Sequence, residues 1–338
     1  MRSWVITAGS TSLDSMKIVE GDIPTAGPGE VLIRVHACSL NYRDQAIVTG
    51  NYFGGSVRTD QVPLSDGAGV VEAIGAGVTK FAVGDRVAGL FFQNWYEGPP
   101  NPAAGPALGA TGAPGMLTEY VALPERGVTR IAETLSFEEA ATLPCAGVTA
   151  WNALMEGPHP TRPGEKVLIL GTGGVSLLAL QIARAAGATV VATSSSDEKL
   201  ARVKALGASD GVNYKTQPEW GAAAAALVGG GFNHVVEVGG VGTINQSMQA
   251  TGFNGEVSLI GVLTHEGNTN PHALMMKGAS IRGIFVGSGS MAERLNAAID
   301  VGGIKPVIDR VFAFEELHEA LRYMASAKHV GKICVRAR

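Results

Sequence analysis

The spacing of apolar residues along the chain changes near Phe137. Up to about Arg130, short β-rich runs such as EVLIRVHACSL, GAGVVEAIG and LTEYVAL are bounded by Gly and Pro. Short runs with turn residues at both ends are typical of strands, so this part predicts an antiparallel, partly barrel-like unit. Residues 96–115 are too rich in Pro and Gly for either regular structure, and we expect a loop there.

After Phe137, apolar strands alternate with helical segments. KVLILG is a fully apolar run, a helix is predicted at Val175–Ala186, and TVVATS is the second strand. GVNY, HVVEVGG, GEVSLIG and SIRGIFVG supply four more strands. Six apolar strands that alternate with helices predict an α/β fold, a doubly wound parallel sheet of the Rossmann type with helices on both faces.

The last fifty residues carry further helix and strand patterns. Because six parallel strands already complete a dinucleotide-binding unit, we expect this tail to fold back onto the first domain. The predicted domains are therefore residues 1–130, residues 131–288 as the nucleotide-binding domain, and residues 289–338 as a segment that returns to the first.

Composition narrows the class of protein. A chain of 338 residues is long enough for about two domains, and 46% hydrophobic with 17% charged residues is typical of packed cores. The net charge of -4 does not indicate the basic surface that binding to nucleic acid or to an anionic membrane requires. Three widely separated cysteines indicate a reducing compartment, and no run suits a secretory signal or a membrane span. We therefore expect a cytoplasmic protein with no nucleic-acid or membrane partner.

The segment ILGTGGVSLLALQIARAAG, residues 169–187, places a glycine turn between a buried strand and a helix. It matches G-x-G-x-x-G at Gly171 and Gly173, but Ser176 stands at the third glycine. Gly171 permits a tight turn, and Gly173 lets backbone N–H groups approach a pyrophosphate at the helix N-terminus. Because Ser176 adds only a hydroxymethyl group, we expect the anion site to persist. The predicted dinucleotide cradle comprises Gly171, Thr172, Gly173, Gly174 and Val175.

The tip of the second strand, ATSSSDEK, decides which dinucleotide is expected. NAD sites usually place an Asp or Glu there for the ribose 2′-hydroxyl, and no acid ends this strand. Ser194, Ser195 and Lys199 could instead hold a 2′-phosphate at the start of the next helix. Alternatively, Ser195 and Glu198 form a capping box. We expect NADP(H), with Tyr214 at the tip of the third strand either against the adenosine phosphate or as a plain strand-end residue.

These motifs make the chain similar to the medium-chain dehydrogenases/reductases, in the zinc-lacking branch that includes quinone oxidoreductases. The segments that carry the resemblance span the chain: PGEVLIRVHACSLNYRD, PLSDGAGVVEAIGAGVTKFAVGDRV, ATLPCAGVTAW, VLILGTGGVS, KALGASDGVNY and VGKICV. The resemblance implies a GroES-like, mostly antiparallel β catalytic domain in addition to the Rossmann domain. It also implies a homodimer formed through the sixth strand, SIRGIFVG, with a tetramer as the open alternative.

The resemblance also implies where a metal would bind. Zinc alcohol dehydrogenases have a cysteine at the position of Asn41, a His-Glu pair at Ser65 and Asp66, and a further cysteine near Cys145. A single soft ligand does not hold zinc. The part that corresponds to their four-cysteine lobe, residues 91–115, contains no cysteine. We therefore expect no metal.

Further cofactor contacts follow from the resemblance and lie at the carboxyl ends of strands, where sheets of this kind bind ligands. Thr149, at the start of the TAW helix, resembles the residue beside the nicotinamide. Lys332, in VGKI, resembles a C-terminal cofactor contact, with a solvated lysine as the alternative. The other predicted contacts end the fourth, fifth and sixth strands: Gly239, Gly261, Val262, Phe285 and Val286.

Without zinc, the expected reaction is hydride transfer from NADPH to a quinone or an α,β-unsaturated carbonyl compound. Zinc lowers the pKa of bound water from 15.7 to about 7, whereas these acceptors take hydride without that assistance. Asn41 is expected to hold the acceptor oxygen. Tyr52 resembles the proton donor of enoyl-thioester reductases, with an aromatic lining residue as the alternative. Two other functions stay open, a metal-free NADP-dependent alcohol dehydrogenase or carbonyl reductase and a non-catalytic NADPH-binding protein.

Overall fold

The computed structural model describes residues 1–53, 55–261, 263–264 and 266–337. Its residues divide into two compact units. Unit 1 comprises Met1–Val148 together with the chain from Gly287 onward, and unit 2 comprises Thr149–Val286. Unit 2 is therefore one continuous segment, whereas unit 1 is assembled from two segments that lie far apart in the sequence.

The described residues form the following helices and strands, in chain order. Those before residue 148 are β1 (Arg2–Ile6), β2 (Met16–Glu20), β3 (Glu30–Ser39), α1 (Tyr42–Val48), β4 (Asp66–Ile74), β5 (Arg86–Gly89), β6 (Tyr120–Pro124), β7 (Val128–Arg130), α2 (Phe137–Ala141) and a π-helical turn (Leu143–Gly147). Those up to residue 286 are α3 (Val148–Met155), β8 (Lys166–Leu170), α4 (Gly174–Ala185), β9 (Thr189–Ser194), α5 (Asp197–Ala205), β10 (Asp210–Asn213), α6 (Trp220–Leu227), β11 (Phe232–Glu237), α7 (Ile244–Ala250), β12 (Thr251–Leu259), α8 (His272–Lys277) and β13 (Ser280–Gly283). The last are α9 (Gly289–Gly302), β14 (Ile308–Phe312), α10 (Leu317–Ala325) and β15 (Lys332–Arg336). Of these described helices, none is both long and apolar enough to cross a bilayer.

The sheet of unit 2 has six parallel strands in the order β10-β9-β8-β11-β12-β13. β8 is apolar after its first residue, and all four of its last residues are buried, as expected for a parallel strand covered on both faces. Leu168 and Phe232 lie in the core on this sheet. Strand order reverses between β8 and β11, and open α/β sheets bind ligands at the carboxyl ends of strands at such a point.

The main sheet of unit 1 has the strand order β14-β15-β3-β4-β5-β7, and β6 also pairs with β3. Its pairs are antiparallel, except that β14 and β15 run parallel. β15 pairs with β3 at Cys334 and Ser39, so the end of the chain completes this sheet. The two sheets together confirm the predicted α/β fold, with a doubly wound parallel sheet and a mostly antiparallel one.

Residues 131–148 pack within unit 1. The sequence pattern, which changes to alternating strands and helices near Phe137, places them in the predicted nucleotide-binding domain. α2 packs on β3 and β4 of the antiparallel sheet. The turn after α2 is tied to the same sheet, because the Cys145 N–H donates to the Asp66 carboxylate at 3.2 Å. The helical pattern begins before unit 2, since α2 covers the sheet of unit 1.

Arg282 is the residue of β13 whose removal should destabilise unit 2 most clearly. Its guanidinium pairs with Glu256 at 2.8 Å and donates to the backbone of α3 at Asn152 and Ala153. Glu256 is 1% exposed, so Arg282→Met leaves a buried carboxylate without its cation. We expect this variant to lose about 3–5 kcal/mol of unfolding free energy, as measured by urea unfolding.

The matched control is Arg34→Met, which removes a partly exposed pair with Glu72 at 3.0 Å. Surface pairs of this kind contribute about 0–1 kcal/mol. Equal losses in Arg282→Met and Arg34→Met would contradict the role of Arg282.

Candidate active site

The glycine turn after β8 presents an open helix start in unit 2. Gly171 has a φ of +72°, in the left-handed region that favours glycine. A Cβ at Gly173 would meet no atom within 4 Å, so its backbone is open to a closely approaching group. Gly173 is the N-cap of α4 and supplies no side-chain cap. The first-turn N–H groups of α4 therefore suit an anion, and Thr172 and Val175 flank them in the same turn.

Ser176 ties α4 to β8 where the glycine motif has its third glycine. Its side chain is 1% exposed, and its hydroxyl donates to the Leu170 carbonyl at 2.6 Å. A hydrogen bond thus replaces the close packing that a glycine would allow. The departure from the motif leaves the helix start next to the end of the strand, as the anion site requires.

Ser194 and Tyr214 are neighbours at the tips of the second and third strands. The Tyr214 N–H donates to the Ser194 carbonyl at 3.0 Å. Ser194 is 2% exposed, whereas Tyr214 is 41% exposed. Tyr214 therefore offers an accessible ring at the place where the sequence predicts the adenosine phosphate.

The helix after β9 begins one residue later than a capping box at Ser195 would require. Ser196 is the N-cap of α5, and its hydroxyl accepts the Lys199 N–H at 3.4 Å. The alternative of a Ser195–Glu198 capping box is therefore wrong, because the third serine of the run occupies the cap position. Asp197 accepts a hydrogen bond from the Asn213 side-chain amide at 2.8 Å, which holds its carboxylate against the end of β10.

A buried carboxylate that sequence reasoning missed organises the turn after β11. Glu237 is 0% exposed and accepts the N–H groups of Gly239 at 2.7 Å and Gly240 at 2.9 Å. It also accepts the hydroxyls of Thr243 and Ser247. The Gly239 N–H is therefore already bound, and a Cβ at Gly239 would collide with the Thr243 side chain, so glycine is needed there for the turn itself. The signal in the sequence is a glutamate at the end of an apolar strand, directly before VGG.

Gly261, just after β12, is a position that only glycine fits. A Cβ there would lie 2.3 Å from the carbonyl carbon of Val238. Its N–H donates to the Glu237 carbonyl at 2.9 Å, which joins the turns after β11 and β12. The predicted contact Val262 lies outside the described residues.

The predicted contacts at the end of unit 2 include a strained backbone. Val286 has a φ of +56°, an outlier for a β-branched residue. Asn152, on α3, donates from Nδ2 to the Val286 carbonyl at 2.7 Å and holds it there. Thr149, also on α3, is buried, whereas Phe285 is half exposed. Such outliers cluster at ligand sites, where the surrounding structure enforces them.

In unit 1, the ammonium of Lys332 is held inside the protein beside Asn41. Lys332 is 5% exposed, which excludes the solvated-lysine alternative. Its Nζ donates to the Leu40 carbonyl and to Asn41 Oδ1, the latter at 2.7 Å. Because an ammonium only donates, this contact fixes which way the Asn41 amide points. Asn41 Nδ2 is buried beside the Asp66 carboxylate and makes no hydrogen bond of regular geometry with the described residues.

Asp66 is a fully buried carboxylate in the same cluster. It accepts the Ser65 hydroxyl at 2.7 Å and the Cys145 N–H at 3.2 Å. Burial raises the pKa of Asp66, while the Lys332 charge and the Asn41 amide oppose that rise. Burial also raises the pKa of the Cys145 thiol, which therefore stays protonated at neutral pH.

The start of α1 joins Asn41 to Tyr52 through charged residues. Asp44 accepts the Asn41 N–H at 2.7 Å. Arg43, next to Asp44, lies 5.3 Å from the centre of the Tyr52 ring. Burial raises the pKa of Asp44 to about 6, with Arg43 opposing, and burial likewise raises the pKa of Tyr52. Both predicted catalytic residues and Lys332 thus lie in one cluster of unit 1, and the other described contacts lie in unit 2, from Thr149 to Val286.

Comparisons with known proteins agree with this arrangement. Two family models match, the alcohol dehydrogenase GroES-like domain over residues 27–133 and the zinc-binding dehydrogenase over residues 174–302. A zinc-type alcohol dehydrogenase-like protein of Schizosaccharomyces pombe is 44% identical over 98% of this chain and 98% of its own. The quinone oxidoreductase of Pongo abelii is 29% identical over 88% of this chain and 86% of its own. The solved structure of an NAD-dependent alcohol dehydrogenase covers 99% of both chains, at 31% identity and a TM-score of 0.88.

Zinc, which two of these names mention, does not fit the residues present. Protein zinc sites use three or four thiolate, imidazole or carboxylate ligands, whereas this cluster has an amide at Asn41 and a hydroxyl at Ser65, which leaves one carboxylate at Asp66 and one thiol at Cys145. The nearby ammonium of Lys332 repels a dication. Within the part of the chain that the structure describes, no group of three His, Cys, Asp or Glu side chains could hold a metal. A dinucleotide, by contrast, fits the open glycine turn of unit 2.

Asp44 should make the stability of the protein depend on pH. Its folded pKa of about 6 lies above its ordinary value of 3.8, so the folded state binds the proton more tightly. The stabilising contribution of this proton is complete below about pH 4 and is lost as the pH rises through about 6. A pKa difference of this size is worth up to about 3 kcal/mol. The free energy of unfolding by urea, measured between pH 4 and pH 7.5, should contain this loss near pH 6 in the wild type and not in Asp44→Asn.

Asp14→Asn is the control, because Asp14 is an exposed partner of Arg322. It should keep the wild-type pH dependence. If Asp44→Asn kept the same dependence as well, the assignment to Asp44 would be wrong.

Proposed function

The chain belongs to the medium-chain dehydrogenase/reductase superfamily and is an oxidoreductase, and on this premise we propose that it is a zinc-independent, NADPH-dependent reductase. Its acceptor is a quinone or an α,β-unsaturated carbonyl compound. The observation that carries the proposal is the buried ammonium of Lys332 on Asn41. It lies in the cluster whose positions correspond to the metal ligands of zinc alcohol dehydrogenases.

The absence of a suitable metal-ligand set favours acceptors that are already activated. Oxidation of a simple alcohol needs a group that stabilises an alkoxide, which zinc supplies by acting as a Lewis acid. A quinone or an enone needs only a hydrogen-bond donor at the oxygen that becomes negative. The polar cluster of unit 1 contains donors of this kind.

Asn41 and Tyr52 are the proposed partners of the acceptor. The Asn41 amide is oriented by Lys332. Its Nδ2 lies beside Asp66 without a hydrogen bond of regular geometry, which leaves donor capacity for the acceptor oxygen. The phenol of Tyr52 remains protonated at neutral pH, because burial raises its pKa. A protonated phenol can give its proton to the reduced acceptor, which is the role that the resemblance to enoyl-thioester reductases implies.

The features of the β9 tip support NADPH as the cofactor. Ser194 ends the strand where NAD-specific sites have an acid, and Asp197 is engaged by Asn213. The Ser195 hydroxyl, just before the N-cap of α5, and the Lys199 ammonium, in the first turn of α5, are suitable partners for a 2′-phosphate. When bound, the nicotinamide supplies the hydride.

An acceptor screen tests the reaction. We expect NADPH oxidation with 1,4-naphthoquinone or 1-octen-3-one, and no NADP⁺ reduction with ethanol or 2-propanol. Dialysis against EDTA should leave turnover unchanged, and the purified protein should contain no stoichiometric zinc by emission spectroscopy. Alcohol oxidation, or turnover that EDTA abolishes, would support the alcohol dehydrogenase alternative. Binding of NADPH with no turnover on any acceptor would support the non-catalytic one.

A second experiment tests the cofactor. Lys199→Ala should raise the KM for NADPH about ten-fold, the effect of losing one charge-assisted contact to phosphate, and leave the KM for NADH unchanged. The matched control is Lys204→Ala on the same helix, because Lys204 pairs with Asp210 at 2.7 Å. A wild-type preference for NADH, or equal effects of the two variants, would overturn the assignment of Ser194, Ser195 and Lys199 to a 2′-phosphate.

A further inference from the structure

Arg43 is a buried cation whose side chain has N–H donors that are not used in regular hydrogen bonds. It is 6% exposed, and its Nη1 donates to the Leu108 carbonyl at 3.0 Å. The neighbouring carboxylate, Asp44, is 3.4 Å from the same nitrogen. The Nε and Nη2 atoms are buried and make no hydrogen bond of regular geometry with the described residues, although the guanidinium also contacts the Tyr52 hydroxyl. Buried donors of a charged group are costly to leave unsatisfied, so this arrangement calls for a function.

The guanidinium lies between two aromatic rings. Its central carbon is 4.9 Å from the centre of the Phe91 ring and 5.3 Å from that of Tyr52. Phe91 is buried and the Leu108 carbonyl anchors Nη1, so the cation is fixed on one side. Attraction between a cation and an aromatic face is strongest when both are desolvated. Arg43 therefore gives the half-buried Tyr52 ring a fixed surface to rest on.

Arg43 also acts on the charge of the Tyr52 oxygen. Burial raises the pKa of Tyr52, and the Arg43 charge and its contact with the hydroxyl are the groups that oppose the rise. Cys145 and Asp44 also face this phenol, and both raise its pKa. Arg43 is thus the cation among the described groups around Tyr52 that stabilises a phenolate.

We propose that Arg43 is the positioning residue for proton transfer from Tyr52. This inference rests on the proposed function, in which hydride from the nicotinamide reaches the acceptor carbon. The resulting anion takes the proton of the Tyr52 hydroxyl. The O–H bond breaks, its electron pair stays on the phenolate oxygen, and the spare donors of Arg43 at Nε and Nη2 satisfy that oxygen. Water returns the proton to Tyr52 and completes the cycle.

Arg43→Met tests the proposal, because it keeps the length of the side chain and removes the charge. We expect kcat to fall about 10²-fold, within the range of general acid catalysis, with a much smaller change in the KM for NADPH. The kcat of Tyr52→Phe should fall by a similar factor. Adding Arg43→Met to Tyr52→Phe should lower kcat little further, because both changes remove the same proton transfer. Arg43→Lys should recover part of the loss, since it keeps the charge.

The pH profile separates this role from a structural one. Turnover needs protonated Tyr52, so kcat falls on the alkaline side as the phenol ionises. Removing the Arg43 charge raises the pKa of Tyr52 further, so Arg43→Met should shift the alkaline limb to higher pH while lowering the plateau. A residue that served only packing would lower the plateau and leave the limb in place.

Arg86→Met is the matched control. Arg86 also places its guanidinium 4.9 Å from the centre of an aromatic ring, that of Phe137, and it donates to the Glu133 and Leu135 carbonyls. It should lower stability without changing kcat or the pH profile. Wild-type kcat and an unmoved alkaline limb in Arg43→Met would overturn the proposal, as would additive losses with Tyr52→Phe.

A titration of Tyr52 by NMR of ¹³C-labelled tyrosine, with Tyr52→Phe to assign its signal, tests the coupling without turnover. The pKa of Tyr52 should be higher in Arg43→Met, or in Arg43→Lys and Arg43→Gln if the methionine variant does not fold. If the wild type reduces no acceptor, the proposed function fails, while this titration still decides whether Arg43 controls the phenol. An unchanged pKa would overturn the coupling.

Discussion

The polar cluster of unit 1 depends on one requirement, that the buried ammonium of Lys332 be surrounded by acceptors. A buried cation is tolerated only where hydrogen bonds and an opposite charge compensate its lost hydration. The Leu40 carbonyl and Asn41 Oδ1 supply the hydrogen bonds, and Asp66 supplies the charge. The amide of Asn41 has its orientation because of this requirement. The features that suit Asn41 to an acceptor oxygen are thus set by a residue at the other end of the chain.

The two units meet their chemical tasks by different means. Unit 2 uses backbone, an open glycine turn and an uncapped helix start, together with strand tips that carry hydroxyls. Unit 1 uses buried side chains, two cations and two aspartates that compensate one another. A backbone site suits a ligand whose shape is constant, such as a pyrophosphate. Buried charges interact strongly with neighbouring groups because the local dielectric constant is low. They therefore suit a site that must stabilise a charge that forms during the reaction.

Local patterns predicted what depends on neighbours in sequence. The apolar strands of unit 2 follow from their composition, because parallel strands covered on both faces read as continuous apolar runs. The position of Gly171 follows from the strand-turn-helix order, and its φ of +72° is what a tight glycine turn requires. The neighbouring tips that carry Ser194 and Tyr214 follow from the same strand order.

What the sequence could not predict depends on contacts across the chain or on a shift of one residue. The bond between Lys332 and Asn41 joins residues 291 positions apart, and no local pattern contains it. Three consecutive serines do not reveal which one caps α5, because each has a suitable hydroxyl and only the helix start distinguishes them. Glu237 was missed because a buried carboxylate among apolar residues is identified by its N–H and hydroxyl partners, which the strand pattern does not show.

The division of the chain has a consequence for the order of folding. Unit 2 is continuous, so all of its strands are available once residue 286 has been synthesised. β3 cannot pair with β15 until the end of the chain is made, and until then the Leu40 carbonyl and Asn41 lack their ammonium donor and Asp66 lacks its opposite charge. Closing so long a loop carries an entropic cost that local contacts do not have. Unit 2 should therefore form first on the ribosome, and its formation shortens the effective loop that joins the two segments of unit 1. The insertion that separates β3 from β15 in sequence thus helps to bring them together.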